Sequence, residues 1–100
     1  MYRVEILPTA WEDLKQIEDW YTMQFGASSG LKVVDHILTT IGRLEMFPES
    51  GSLLPDSWLN EMGYRMVICD KHVAIYKQIA DTIYVYHIAD TRTEYTKLFF

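Results

Sequence analysis

Seven residues near the C-terminal end of the chain carry most of its chemical capacity: Arg65, His72, Tyr76, Lys77, His87, Arg92 and Tyr95. Arginine suits phosphate because its planar fork binds two oxygens and never deprotonates. Arg65 and Arg92, if they converged, would hold a scissile phosphate and stabilise the charge that builds on it. Each also has a plainer reading. Arg65 would be a strand arginine paired with a carboxylate, and Arg92 would pair with Asp90 or Glu94. His87 is either an acid or base near neutral pH or a buried, hydrogen-bonded histidine. Tyr95 follows Arg92 by one helical turn, so it is a general acid, a stacking platform, or the ring that pins the tail. On these grounds Arg65, His87, Arg92 and Tyr95 are the candidate catalytic residues. His36 and His72 read as surface residues.

Other chemistries leave no trace. There is no glycine-rich phosphate loop, GxSxG or CxxC, and the three histidines lack metal-ligand spacing, so neither a cofactor nor a metal is expected. The one cysteine, Cys69, falls within a strand-like run and reads as a buried, inert thiol.

These residues need a scaffold, and the final third of the chain supplies it. Tyr64–Cys69, His72–Gln78 and Thr82–Ala89 are rich in Val, Ile and Tyr and are joined by the polar pairs Asp70-Lys71 and Ala80-Asp81. That pattern predicts an antiparallel meander. In its last strand, strict alternation sends Ile83, Val85, His87 and Ala89 to one face and Tyr84, Tyr86 and Ile88 to the other. Bulk on both faces marks a central strand.

Upstream, Tyr2–Leu7 alternates as a half-buried strand with Arg3 and Glu5 outward, stopped by Pro8. Thr9 and Glu12 have capping-box spacing. A helix then follows on Ala10, Leu14, Ile17, Tyr21 and Phe25, with Glu12, Asp13, Lys15, Gln16, Glu18 and Asp19 toward solvent. Gly26 closes it. Ala27 to Gly30 reads as a tight linker with a serine cap, and a second helix runs from about Gly30 to Met46. Two amphipathic helices so joined lie antiparallel and merge their stripes into one slab. Residues 51–62 form the one long loop, expected to pack down through Trp58, Leu59 and Met62. The order is β-α-α-β-β-β: an α+β fold with a helical hairpin on one face of an antiparallel sheet. The other sheet face stays at least partly open, and an open face bearing Tyr, His and Arg reads as a binding surface.

Composition bounds what this scaffold does. One hundred residues, 49% apolar, make a single domain spanning 1–100 with one core. No apolar run is long enough for a membrane span, and MYRVEIL lacks the features of a signal peptide, so a cytoplasmic chain is expected. The net charge is −5, against the sign of a dedicated nucleic-acid binder. Residues 1–62 hold 4 Lys/Arg against 10 Asp/Glu, whereas residues 63–100 hold 5 against 4. A local cationic site on the meander is therefore open to the chain, but a broad basic footprint is not.

Taken together, PTAWEDLKQIEDWY, LEMFPESG, GYRMVI, HVAIYKQ and YVYHIADTRTEY, in this order, resemble the RelE/ParE superfamily of bacterial toxins. The most specific pieces are Ala10/Asp13-Leu14/Ile17/Tyr21, Gly63-Tyr64-Arg65 and the closing His87-Ile88-x-x-Thr91-Arg92-x-x-Tyr95. The resemblance implies the toxin of a type II toxin–antitoxin module, whose antitoxin folds onto it. It carries two activities, since one fold hosts several functions. The first expectation is a metal-independent, ribosome-dependent mRNA endonuclease, with Arg65 and Arg92 in the basic positions. The alternatives are a non-enzymatic poison of DNA gyrase and a non-toxic antitoxin-binding relative. Val73 stands where the RNA-cutting pattern has an arginine. Leu98 stands where it has a catalytic tyrosine, with Tyr95 one turn away.

Overall fold

The computed structural model describes residues 1–93 and 95–99, with the backbone but not the side chains of Tyr95 and Thr96. The first strand, β1 (Arg3–Ile6), leads directly into helix α1 (Pro8–Phe25), which Gly26 separates from helix α2 (Ala27–Gly42). A 3-10 turn at Arg43–Glu45 ends the helical hairpin. A two-residue strand, β2 (Ser52–Leu53), and a short helix, α3 (Ser57–Glu61), precede the meander β3 (Arg65–Cys69), β4 (His72–Ile79) and β5 (Thr82–Asp90). A second 3-10 turn, Tyr95–Leu98, follows.

The α+β fold with a helical hairpin on the sheet is as the sequence reads. The sheet is mixed, however, with strand order β1-β5-β4-β3-β2: β1 pairs β5 in parallel and the other neighbours are antiparallel. The hairpin sets this direction, because two antiparallel helices return the chain to the end of the sheet from which β1 departed. β5 is central, as its two bulky faces require.

Three local boundaries differ from the pattern. α1 starts at Pro8, whose missing N–H suits a first turn, and Leu7 is the cap residue without a side-chain bond. Thr9 therefore lies inside the helix, and its hydroxyl donates instead to the Tyr86 carbonyl at 2.6 Å. The linker contracts to Gly26 alone, whose φ of +100° reverses the chain in one residue. Residues 27 to 30 become the first turn of α2, and Ser29 Oγ donates back to the Phe25 carbonyl instead of capping. Gly30 sits where the helices cross: a Cβ there would come within 2.9 Å of the Glu18 carbonyl.

Two apolar clusters lie on the two sides of the sheet. Ala10, Leu14, Ile37, Ile41 and Leu44 pack from the helices onto Ala74, Tyr76, Ile83, Val85 and Ile88. On the rear, Leu54 and Leu59 cover Val73, Ile75 and Ala89, joined by Tyr64, Met66, Leu98 and Phe99. The long loop does pack down, pinned at its helix by Leu59 and by the Asp56 carboxylate accepting from the Leu59 N–H at 3.0 Å. Trp58 and Met62 stay half exposed.

Strict alternation fails at one place in β5. Tyr76 registers with Val85 and Ile75 with His87, so Tyr86 is an extra, unpaired residue. Past this bulge the faces exchange. Ile83, Val85 and Ile88 share the helix side, while Ala89 belongs to the rear cluster.

Candidate functional site

Arg65 opens β3 opposite Tyr76, and directly opposed residues share a face. Its Nη1 donates to the Gly51 carbonyl at 2.8 Å. The Tyr76 hydroxyl donates to the Pro48 carbonyl at 2.8 Å and accepts from the Gly51 N–H at 3.0 Å. Burial, the largest influence, raises the Tyr76 phenol above its ordinary value, so it stays a neutral donor. Gly51 is required here: a Cβ would fall 2.6 Å from the Tyr76 hydroxyl oxygen. Arg65 and Tyr76 thus tie the segment after the helical hairpin to the sheet, and the guanidinium is engaged by the protein's own backbone.

His87 lies where the bulge turns β5. Beyond Ile6 the strand loses its β1 neighbour, and α1 takes over that edge. The Leu7 N–H donates to the Val85 carbonyl, the Thr9 hydroxyl to the Tyr86 carbonyl, and the Ile88 N–H to Asp13 Oδ2 at 3.0 Å. The same Asp13 oxygen stands 3.0 Å from His87 Nδ1. The pair is largely buried, with side chains 18% and 25% exposed. The His87 ring also meets Phe99 edge-on at 5.4 Å. Asp13, placed on the solvent face by periodicity, is turned inward to serve this edge.

Arg92 follows β5 in an exposed turn. Its Nε and Nη2 donate to the two Asp90 carboxylate oxygens at 2.9 and 3.3 Å, and its backbone N–H to Oδ1 at 2.8 Å. These bonds, led by that of the guanidinium side chain, hold the Asp90 carboxyl down at about 2. Asp90 in turn raises the guanidinium further. The Tyr95 side chain lies outside the described residues. Val73 is fully buried in the rear cluster and Leu98 packs against it, so both positions serve packing.

Arg65, His87 and Arg92, the candidates whose side chains are described, do not converge. Arg65 is level with Tyr76, whereas Arg92 lies two residues past Asp90, which is opposite His72. Tyr76 and His72 are four residues apart on β4, roughly 13 Å at the usual strand rise. His87 registers with Ile75, a residue of the rear cluster, and so leaves the sheet on the other face from Arg65.

A feature that sequence reasoning did not pick out occupies the His72 end of the sheet. A groove of about 420 Å³ runs between the second half of α1 and the β4–β5 pair, with Trp20 and Tyr21 on one wall and Lys71, His72 and Arg92 on the other. His72, expected at the surface, is only 8% exposed. It registers with Cys69 and Asp90 on the helix side, where Tyr21 meets its ring edge-on at 5.9 Å. Burial lowers its pKa below the ordinary value, against the opposing pull of Asp90 and Asp70. The available signal was the two-residue Asp70-Lys71 turn, which sets His72 directly opposite buried Cys69 and so on the same face.

Cys69 is buried and its thiol is pushed up to about 11, mainly by that burial, which leaves it inert as read from sequence. Among the described residues no cluster of three or more His, Cys, Asp or Glu is arranged to hold a metal, and no helix is long and apolar enough to cross a membrane.

Comparison with known proteins bears on this geometry. The family model for the ParE toxin of the type II toxin–antitoxin system parDE matches residues 4–95. Among solved structures, the chromosomal ParDE toxin–antitoxin system from P. aeruginosa superposes with a TM-score of 0.77 at 22% identity, covering 90% of this chain and 96% of that one. At that identity the superposition establishes the fold. No curated protein matches the chain. With the family model spanning both the helical hairpin and the meander, the chain belongs to the ParE toxin family of type II toxin–antitoxin systems.

Proposed function

We propose that this chain is the toxin of a type II toxin–antitoxin pair and that it acts by binding a protein target, DNA gyrase, without catalysing a reaction. The observation that carries this reading is the dispersal of Arg65, His87 and Arg92, three of the four groups proposed for an RNA-cutting centre. Arg65 is bonded to the Gly51 carbonyl, His87 stands against the Asp13 carboxylate and Arg92 is forked onto Asp90, at separate places on the sheet. A phosphoryl-transfer centre requires such groups to be preorganised around one point. The family match supports the same side, since gyrase is the target that the ParE branch of the resemblance implies. The family also supports a cognate antitoxin as the partner, folding onto the toxin as it binds.

A second reading, ribosome-dependent mRNA cleavage, draws on one observation. The Arg92 side chain is 89% exposed, and its Nη1 has no partner among the described residues. That leaves half of the fork open to a phosphate.

Inducing the chain alone in bacteria and pulsing separately with labelled methionine and labelled thymidine decides between them. The proposal expects thymidine incorporation to fall first, with induction of the DNA-damage response and intact mRNA. Early collapse of methionine incorporation, abolished by Arg92→Ala, would establish the RNA-cutting reading in its place. Unaffected growth would overturn both and leave an antitoxin-binding module.

A further inference from the structure

We propose that the groove between α1 and the His72 end of the β4–β5 pair binds a small organic anion, a flat ring system carrying one phosphate or carboxylate group. The inference is independent of which macromolecule the toxin acts on.

The groove is divided chemically along its length. At one end Trp20 is 54% exposed and is fixed by edge-on contacts with Tyr21 (5.0 Å, 75°) and Phe25 (6.0 Å, 69°). An exposed aromatic face supported by two neighbouring rings offers a flat ligand a surface on which to stack. Ile17 and Ile88 supply an apolar floor. At the other end stand the Lys71 ammonium, exposed on its turn, and the open half of the Arg92 fork. Both carboxylates on the lining are already engaged, Asp90 by Arg92 and Asp13 by the Ile88 N–H and His87. Asp90 balances Arg92 in charge, so what this end offers an incoming anion is the Lys71 ammonium and the Arg92 Nη1 that Asp90 leaves unbonded.

His72 gives the independent pointer. It is more than nine-tenths buried and lies on the lining of the groove, yet its ring has no hydrogen-bond partner among the described residues. No buried side-chain nitrogen or oxygen among the described residues is left unsatisfied, so a His72 ring nitrogen without a protein partner is open to solvent at the groove wall, where a ligand atom can take the place of water. A volume of about 420 Å³ lies within the range of small-molecule sites, roughly 300–1,000 Å³. Together these features match a ligand whose ring lies on Trp20 while its anionic group reaches His72, Lys71 and Arg92.

Proton and nitrogen NMR of the full chain tests this directly. The probes are adenosine 5′-monophosphate for a ring phosphate, indole-3-acetate for a ring carboxylate, and inorganic phosphate for an anion without a ring. The expected result is a saturable shift of the Trp20 indole N–H together with the His72 ring protons, for one of the two ring anions. Inorganic phosphate should move His72 and leave Trp20 unmoved. Loss of one charge-assisted contact in Lys71→Ala should weaken the ring anion about tenfold. Lys71 is exposed, so that variant keeps the fold, and His72→Gln tests the buried partner. The proposal is overturned if neither ring anion gives a saturable shift at both reporters up to about 10 mM, an affinity too weak for a built site. Binding that is unchanged in Lys71→Ala and His72→Gln would overturn it equally.

Discussion

The Asp13 carboxylate on α1 stands in for a missing strand: its Oδ2 accepts the Ile88 N–H at 3.0 Å and lies 3.0 Å from His87 Nδ1. β1 ends at Ile6, opposite Val85, and from there Thr9 and Asp13, one helical turn apart, continue its hydrogen bonding with side chains. The edge of a central strand is closed by a helix, which guards it against pairing with another chain.

This relationship predicts an uneven response to substitution. Asp13→Ala leaves the Ile88 N–H and the His87 ring partly buried without their acceptor, and it should cost about 2 kcal/mol in urea unfolding. Asp13→Asn retains an acceptor and should recover part of that loss. Exposed Glu12→Ala on the same helix should change little. Equal midpoints for Asp13→Ala and Glu12→Ala would show that the edge needs no such closure.

The tie between Tyr76, Arg65 and Gly51 gives a second test. Tyr76→Phe removes both bonds of a fully buried hydroxyl and should destabilise by about 1–3 kcal/mol. Gly51→Ala should be at least as damaging, because its Cβ would press on the Met66 carbonyl and on the Tyr76 hydroxyl. Arg65→Ala should cost about 1 kcal/mol and be less than additive with Tyr76→Phe, since both act on one short segment. Additive losses across a double-mutant cycle would separate the two residues.

Acid should destabilise the fold through His72. Burial holds its folded pKa below the ordinary 6.5, so on acidification the unfolded chain takes up the proton first. The contribution is complete above about 6.5 and is lost as pH falls through the lower folded value. Asp90 and Asp70 temper the effect and Lys71 adds to it. Asp90 acts in a separate window: its contribution is present above the ordinary 3.8 and is lost as pH falls toward about 2. Stability measured from pH 8 to 4 should therefore slope less in His72→Gln than in the parent. In Arg92→Ala, NMR titration should return the Asp90 carboxyl toward 3.8. An unchanged acid slope in His72→Gln would remove that residue from the account.

The sequence alone determined the first strand, the helical hairpin, the meander and the packing of hairpin on sheet, because each follows from local periodicity, whereas β2 and α3 lie in the segment that reads as a loop. A stripe repeating every three or four residues from Ala10 to Tyr21, and short runs rich in Val, Ile and Tyr separated by polar turns from Tyr64 to Ala89, admit few other structures. It also read the family, whose pieces are spread along the whole chain. Tertiary structure decided what single side chains do. Local pattern cannot show that β1 runs parallel to β5, since that depends on where a hairpin delivers the chain. Nor can it show the unpaired Tyr86, which exchanges the faces of β5 and places Ile88 inside. Asp13 and His72 follow the same logic. By type they belong in water, and both are turned inward because a strand edge and a groove, each formed by segments distant in sequence, meet at those positions. Arg65 and Arg92 are alike as residue types, yet the register sets them at different levels of the sheet with different partners. Convergence is a property of three-dimensional register, and spacing along a chain does not encode it.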